Sequence, residues 1–193
     1  MINALRARRL PLSWYRRDTA AVARGLLGCA LVHRGRAGVI VETEAYLGPE
    51  DLASHTRFGR TARNAVMFGP GGVSYVYLCY GVHEMFNIVA HRARAEAGAV
   101  LVRAVAPLHG LGDDESVGRG PGKVTRALGL SRAQHAVALD GDALFVARWK
   151  PVAAARVERS PRIGVDFAGT WAREPLRFTI AGHRAVSGKR ARG

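Results

Sequence analysis

The sequence has 193 residues, with 29 Lys and Arg against 15 Asp and Glu, a formal net charge of +14. Its 48% hydrophobic and 23% charged content fits one globular domain with its own core and excludes wholesale disorder. No apolar run approaches the ~20 residues that a membrane-spanning helix needs, and the positive field favours polyanions, nucleic acid first and an anionic membrane surface second.

The predicted elements follow in chain order. Residues 18–27 read as a helix with Asp18 or Thr19 as its N-cap. Strands are expected over 28–33, 37–45, 73–80, 85–91, 99–105, 143–149, 153–158 and 175–181. Short helices are expected over 50–56, 61–66 and 122–129, with turns at 69–72 (GPGG) and 118–122 (GRGPG). Strands outnumber helices and do not alternate with them, which predicts an α+β fold. We expect a single domain over residues 1–183, a mostly antiparallel curved sheet with short surrounding helices and a protruding β-hairpin. Residues 184–193 are expected to form a basic, flexible tail.

Several signatures fail on inspection. His83-Glu84 opens like a zinc-protease motif, but Asn87 stands where the second His belongs. Gly122-Lys123 resembles the end of a phosphate loop, yet Val117 and Val124 occupy its required Gly and Ser/Thr positions. The seven histidines show no metal-ligand spacing, and Cys29 and Cys79 belong to no CxxC pair, so neither metal nor cofactor is expected. Unpaired cysteines suit a reducing cytoplasmic setting. The basic N-terminus has no apolar stretch of the kind a secretory signal carries.

Three segments stand out. Residues 41–55 hold four acids (Glu42, Glu44, Glu50, Asp51) and no Lys or Arg, although residues 1–40 hold eight basic side chains and one acid. On a strand, Glu42, Glu44 and Tyr46 share one face. They are either a solvated face or a pair of carboxylates with a task. In SYVYLCYG, Tyr75 and Tyr77 share a face, and Tyr80 precedes Gly81 where the chain turns. An aromatic at a hairpin tip has little of its own chain to pack against. The third segment, GPEDLASH, carries His55 on a short helix and leads to Arg57, Arg60 and Arg63. Together these offer cations for phosphate, aromatic faces for a base, and a carboxylate for chemistry.

The stretches GVIVETEAYLGPEDLASH, RNAVMFGPGGVSYVYLCYGVHEMFN, VLVRAVAPL, GPGKVTRALGL and RIGV with GTWAREPLRF resemble, in order and spacing, the alkyladenine (3-methyladenine) DNA glycosylase family, from about residue 10 to about residue 180. The resemblance implies an enzyme that hydrolyses the N-glycosidic bond of alkylated or deaminated purines in duplex DNA and leaves an abasic site for base excision repair. It implies Glu44 as the group that activates water and Arg103 as its helper. Tyr46, His55 and Tyr77 would line the base pocket, Asn87 would screen guanine, and Tyr80 would fill the gap left in the duplex. Val82 and His83 depart from the bulkier apolar or aromatic residues that can follow the wedge, which puts the grip on neighbouring bases in question.

Flipping a base needs both a pocket and something to occupy the vacancy. Glu44 is expected to act without a second carboxyl, because a purine leaving group can be cationic already; Glu42 is then structural or tunes Glu44. No lysine stands in the segments that carry Glu44, His55 and the tyrosines, so no Schiff base and no strand cutting are expected. The implied partner is double-stranded DNA with a damaged purine, with no membrane and no obligate protein partner, the enzyme working as a nucleoid-associated monomer. Arg57, Arg60, Arg63, Lys123 and the 163–165 turn are candidates for backbone contact. A non-catalytic DNA-binding protein and a hydrolase of free nucleosides stay open as alternatives.

Overall fold

The structure is a computed structural model in which residues 1–93 and 96–188 are described. Among the described residues, three α-helices, α1 (Ile2–Arg6), α2 (Thr19–Gly25) and α3 (Pro121–Leu128), accompany eight strands. The strands are β1 (Ala30–His33), β2 (Arg36–Tyr46), β3 (Ser74–Cys79), β4 (His83–Val89), β5 (Ala99–His109), β6 (Leu144–Ala147), β7 (Val157–Ser160) and β8 (Arg177–Ile180). All pairings are antiparallel, in the order β3-β4-β5-β2-β1-β6, and β8 joins β2 to β7. The α+β expectation holds, with one strongly curled antiparallel sheet and a β3–β4 hairpin.

β2 organises this sheet. One edge pairs with β5 along its length, while the other pairs with β1 over residues 36–39 and with β8 over 42–44. The sheet therefore forks at the two glutamates, next to register shifts between Ile40 and Thr43. Strand alternation then sorts the side chains. Ala45, Val76, Phe86, Ile88, Val100, Val102 and Phe178 face one side and join the main core with residues of α2 and α3. Thr43 ties α2 to that face by donating to the Ala23 carbonyl at 2.9 Å. On the opposite face the register Tyr75–Asn87–Leu101–Glu44–Arg177 lays one row of mostly polar side chains across five strands.

Several local expectations need correction. Residues 50–56 form turns, not a helix, because the Asp51 carboxylate accepts from the Leu47 and Ala53 amides and competes with helical bonding. The helix expected over 61–66 is a 3-10 turn at Ala65–Phe68. The strand expected over 153–158 begins only at Val157, after a 3-10 turn at Ala154–Arg156. At the start of the segment expected as a tail, Ala185 and Ser187 are buried, and Ser187 donates to Glu42 from both its amide and its hydroxyl. The rest of the expected tail, 189–193, lies outside the described residues.

Candidate active site

The acidic island is not a solvated face. Glu42, Glu44 and Asp51 are fully buried, and each meets an arginine. Arg103 stands between the two glutamates, with Nε 3.3 Å from Glu42 Oε1 and Nη1 3.3 Å from Glu44 Oε2. It offsets the repulsion that two carboxylates on one face would otherwise suffer. Glu42 carries more bonds: besides Arg103, its Oε1 accepts Arg177 Nε at 2.7 Å and the Ser187 hydroxyl, and its Oε2 accepts the Ser187 amide.

Glu44 is held differently. Its Oε2 accepts the Tyr46 hydroxyl at 2.9 Å besides Arg103, while Oε1 accepts the Ile163 amide at 2.8 Å. With that single donor, Oε1 keeps a lone pair for a water. Burial and the adjacent carboxylate push the Tyr46 phenol far above its ordinary pKa, so it stays a donor.

A cavity of about 330 Å³ opens directly outside this carboxylate. Tyr46, His55, Tyr75, Tyr77 and Asn87 line it, with Tyr80 at its edge. Glu44 and Arg103 are not on its wall; Glu44 lies one hydrogen bond behind it, through Tyr46. Small residues make the space: Ala99 lies opposite Tyr46 in the β2–β5 register, and Ala53 lines the other side. Gly48 makes the approach of this loop possible, at φ +120°, where a Cβ would lie 1.8 Å from the Glu96 carbonyl oxygen.

The cavity is aromatic and neutral at its back. The His55 and Tyr77 ring centroids are 4.5 Å apart, those of Tyr75 and Tyr77 5.4 Å. His55 Nδ1 shares a 2.8 Å hydrogen bond with the Tyr75 hydroxyl. Burial first, then the Arg63 and Arg57 charges, lower its pKa to about 4, so the ring is neutral at physiological pH. Burial likewise raises the Tyr77 phenol. Asn87 Nδ2 donates to the Tyr75 and Met85 carbonyls at 3.1 and 3.3 Å, which fixes the amide.

Tyr80 is 92% exposed and projects from the hairpin tip at φ +50°, followed by Gly81 at +70°. Positive φ at both central residues suits a tight hairpin turn. For a tyrosine, the left-handed conformation costs on the order of 1–3 kcal/mol, and no packing of the exposed ring offsets it.

The basic residues separate. Arg60 and Lys123 are exposed, as phosphate contacts need. Arg57 is half-buried, with its guanidinium 4.4 Å from the Phe58 ring centroid and 5.1 Å from that of Phe167. Arg63 is exposed too, and its guanidinium lies 4.9 Å from the Tyr77 ring centroid, where it lines the cavity. Asn64 causes this, its buried amide donating to the His55 and Gly59 carbonyls and folding the loop back over the cavity. In the 163–165 turn, Ile163 gives its amide to Glu44, and Gly164 and Val165 line the cavity. Cys79 lines it too.

Sequence reasoning missed what holds this turn. Fully buried Arg162 grips Asp51 with two bonds, of 2.5 and 2.8 Å, and donates to the Ala45 and Trp171 carbonyls. Its guanidinium also lies 4.8 Å from the Tyr46 ring centroid. The available signal was Asp51 within the acidic island and Arg162 beside the Ile163-Gly164 turn. A larger cleft of about 540 Å³, edged by Arg8, Arg24, Arg148 and Lys150, has no carboxylate and no tyrosine in its lining. Among the described residues no three His, Cys, Asp or Glu side chains gather as a metal set would require.

Residues 13–184 match the sequence model of the family described as "Methylpurine-DNA glycosylase (MPG)". The chain is 50% identical to a "Putative 3-methyladenine DNA glycosylase" of Myxococcus xanthus (strain DK1622), over 92% of this chain and 93% of that protein. It is 47% identical to a protein of the same name from Anaeromyxobacter sp. (strain Fw109-5), over 93% and 92% of the two chains. A third of that name, from Legionella pneumophila (strain Corby), is 41% identical over 93% of this chain and 98% of its own length. By the extent of these matches and by the residues gathered around Glu44, the chain belongs to the methylpurine-DNA glycosylase family.

Proposed function

We propose that this protein is a monofunctional DNA glycosylase of DNA repair that turns an alkylated or deaminated purine out of duplex DNA and hydrolyses its N-glycosidic bond. The single observation that carries the reading is the Glu44 carboxylate, oriented by Tyr46, Arg103 and Ile163 immediately behind an aromatic cavity. The substrate class is 3-methyladenine, 7-methylguanine, hypoxanthine and ethenoadenine.

Tyr46, His55 and Tyr77 stack on the extruded base. An electron-poor alkylated purine gains most from such faces, and a neutral His55 does not repel it. Asn87, its amide fixed, tests the purine edge and disfavours the exocyclic amino group of guanine. Tyr80 enters the vacancy in the duplex, for which an exposed ring on a rigid turn is suited. As the bond from C1′ to the purine nitrogen breaks, its electrons leave with the base and C1′ becomes oxocarbenium-like. The carboxylate stabilises that charge and takes a proton from the water whose oxygen bonds to C1′. Arg103 keeps the carboxylate in place and offsets Glu42. The product is an abasic site with both strands intact, since neither Lys123 nor Lys150 lines the cavity. Arg60 and Lys123 meet the DNA backbone, and the enzyme acts as a nucleoid-associated monomer without an obligate protein partner.

The test is incubation of the protein with a duplex containing one 7-methylguanine, hypoxanthine or ethenoadenine, and with the free nucleosides. Release of base from the duplex alone is expected. Glu44→Gln should lower the single-turnover rate by ~10²–10⁴-fold with DNA affinity retained, whereas Glu42→Gln should leave excision within about tenfold and weaken the fold. Binding without release would make the protein a non-catalytic binder, release from nucleosides would make it a nucleoside hydrolase, and equal loss of excision in both variants would remove Glu44 as the lone base.

A further inference from the structure

Several exposed apolar side chains stand at the cavity or are tied to its lining residues. Phe58 is 81% exposed and Phe167 64%, Ile163 and Tyr80 are also exposed, and Phe167 and Tyr80 both line the cavity. An exposed aromatic pair is more informative than an exposed single residue. These two rings are tied together, because the Arg57 guanidinium lies over both of them. Arg57 is itself fixed by its Nη1 donating to the Ser54 carbonyl at 3.1 Å, one residue before His55 in the cavity wall. Phe167 lines the cavity and Phe58 does not, so the stack runs from the pocket outward.

A ring–guanidinium–ring stack with exposed faces has the chemistry of a nucleobase platform: flat, apolar, indifferent to base identity, with a cation at its centre. Its position narrows the occupant. The cavity takes one base, and the strand that delivers it must leave through the mouth beside Phe167. A wedge at Tyr80 would separate the neighbours of the extruded nucleotide from the continuous stack. We infer that Phe58, Arg57 and Phe167 form a second nucleotide site, which stacks a base adjacent to the extruded one on the damaged strand. This rests on the glycosylase reading and deepens it. The net charge of +14 brings the strand in, and the platform converts that encounter into a fixed direction of the strand across the mouth.

The experiment is equilibrium binding of the full chain to a duplex carrying a tetrahydrofuran abasic analogue, which the enzyme cannot cleave, beside an undamaged duplex of the same sequence. Phe58→Ala and Phe167→Ala are each expected to weaken binding to the analogue by ~5–100-fold, the loss of one base–aromatic stack. Phe58→Trp should retain it and Phe58→Leu should not. Affinity for the undamaged duplex and the salt dependence should stay unchanged, since no phosphate contact is removed. Fluorescence of 2-aminopurine next to the analogue should change on binding in the wild type and much less in Phe58→Ala. Both rings are exposed, so thermal melting should confirm folded variants. Affinities within twofold of wild type, an equal loss on both duplexes, or an unaltered 2-aminopurine response in Phe58→Ala would overturn the proposal. Failure of the glycosylase reading appears separately, as no base release by the wild type.

Discussion

Arg103, Arg162 and Arg177 lie inside the protein, each against a fully buried carboxylate, whereas Arg57, Arg60 and Arg63 belong to the loop beside the cavity mouth and pair with aromatic rings or with solvent. The residue type is the same and the consequences differ. Inside, several directed bonds compensate desolvation, and the planar fork of donors fixes the geometry of whatever it holds. Glu44, Glu42 and the turn carrying Ile163 take their positions from this. At the mouth, water screens the charges, so each contributes little to folding and remains available to a polyanion. A formal charge of +14 therefore describes two populations: internal cations that set geometry and external ones that set affinity.

The sharpest way to break this comparison is to strip one arginine of its partner on each side. Asp51→Ala leaves Arg162 buried without a carboxylate. A stability loss of roughly 3–5 kcal/mol is expected, read from urea unfolding at fixed slope. Arg60→Ala should stay within about 0.5 kcal/mol. Because Arg162 holds the turn whose Ile163 amide bonds Glu44, Asp51→Asn should also lower the single-turnover excision rate at saturating enzyme, a quantity insensitive to the fraction of folded molecules. Similar stability losses in Asp51→Ala and Arg60→Ala would erase the distinction.

A second effect joins the two regions at His55, which is half-buried yet next to Arg57 and Arg63. Its pKa is near 4 in the folded protein against an ordinary 6.5. The unfolded chain therefore takes up a proton between those values that the native state refuses. Stability contributed by His55 is complete above pH 6.5 and is lost as the pH falls towards 4, by up to about 3 kcal/mol. Comparing urea midpoints of the wild type and His55→Gln across this window isolates the contribution, since the carboxylates are common to both. Arg63→Ala should shrink the difference by removing one of the charges. Parallel curves for wild type and His55→Gln would mean that the ring is protonated normally and that the pocket is not neutral.

The buried region was partly legible in the sequence and the mouth less so. Period-two alternation placed Glu42, Glu44 and Tyr46 on one face, and Tyr75 with Tyr77 on another, because strand geometry is local. The motif resemblance then singled out positions that the fold brings to one cavity: Tyr46, His55, Tyr77, Tyr80 and Asn87. The Arg162–Asp51 pair spans 111 positions and has no periodic signature, so only the folded chain exhibits it. The same holds for Ser187, 145 positions from Glu42, whose amide and hydroxyl join the carboxylate network. Loop 50–64 misled for a different reason. Its helical propensity is overridden by side-chain-to-backbone bonds of Asp51 and Asn64, and the loop so formed sets the Arg63 guanidinium over the Tyr77 ring.

The smallest expected effect sharpens the comparison at its outer edge. Each cation that neutralises a phosphate releases condensed counterions, so the slope of log affinity against log salt counts the contacts. Arg60→Ala and Lys123→Ala should each reduce that slope by about 1 on duplex DNA of any sequence, with little change in excision once DNA is saturating. Arg177→Met should weaken the fold yet leave the slope intact, because its guanidinium is committed to Glu42, Ser160 and Ser187. Arg57 lies between these cases. Its charge is near the strand but its plane is occupied by two rings, so Arg57→Ala should lower affinity for the abasic-analogue duplex more than it lowers the slope. If Arg57→Ala instead reduced the slope as fully as Arg60→Ala and lowered affinity no more, the stack at the mouth would be a phosphate clamp, and internal and external arginines would differ only in burial.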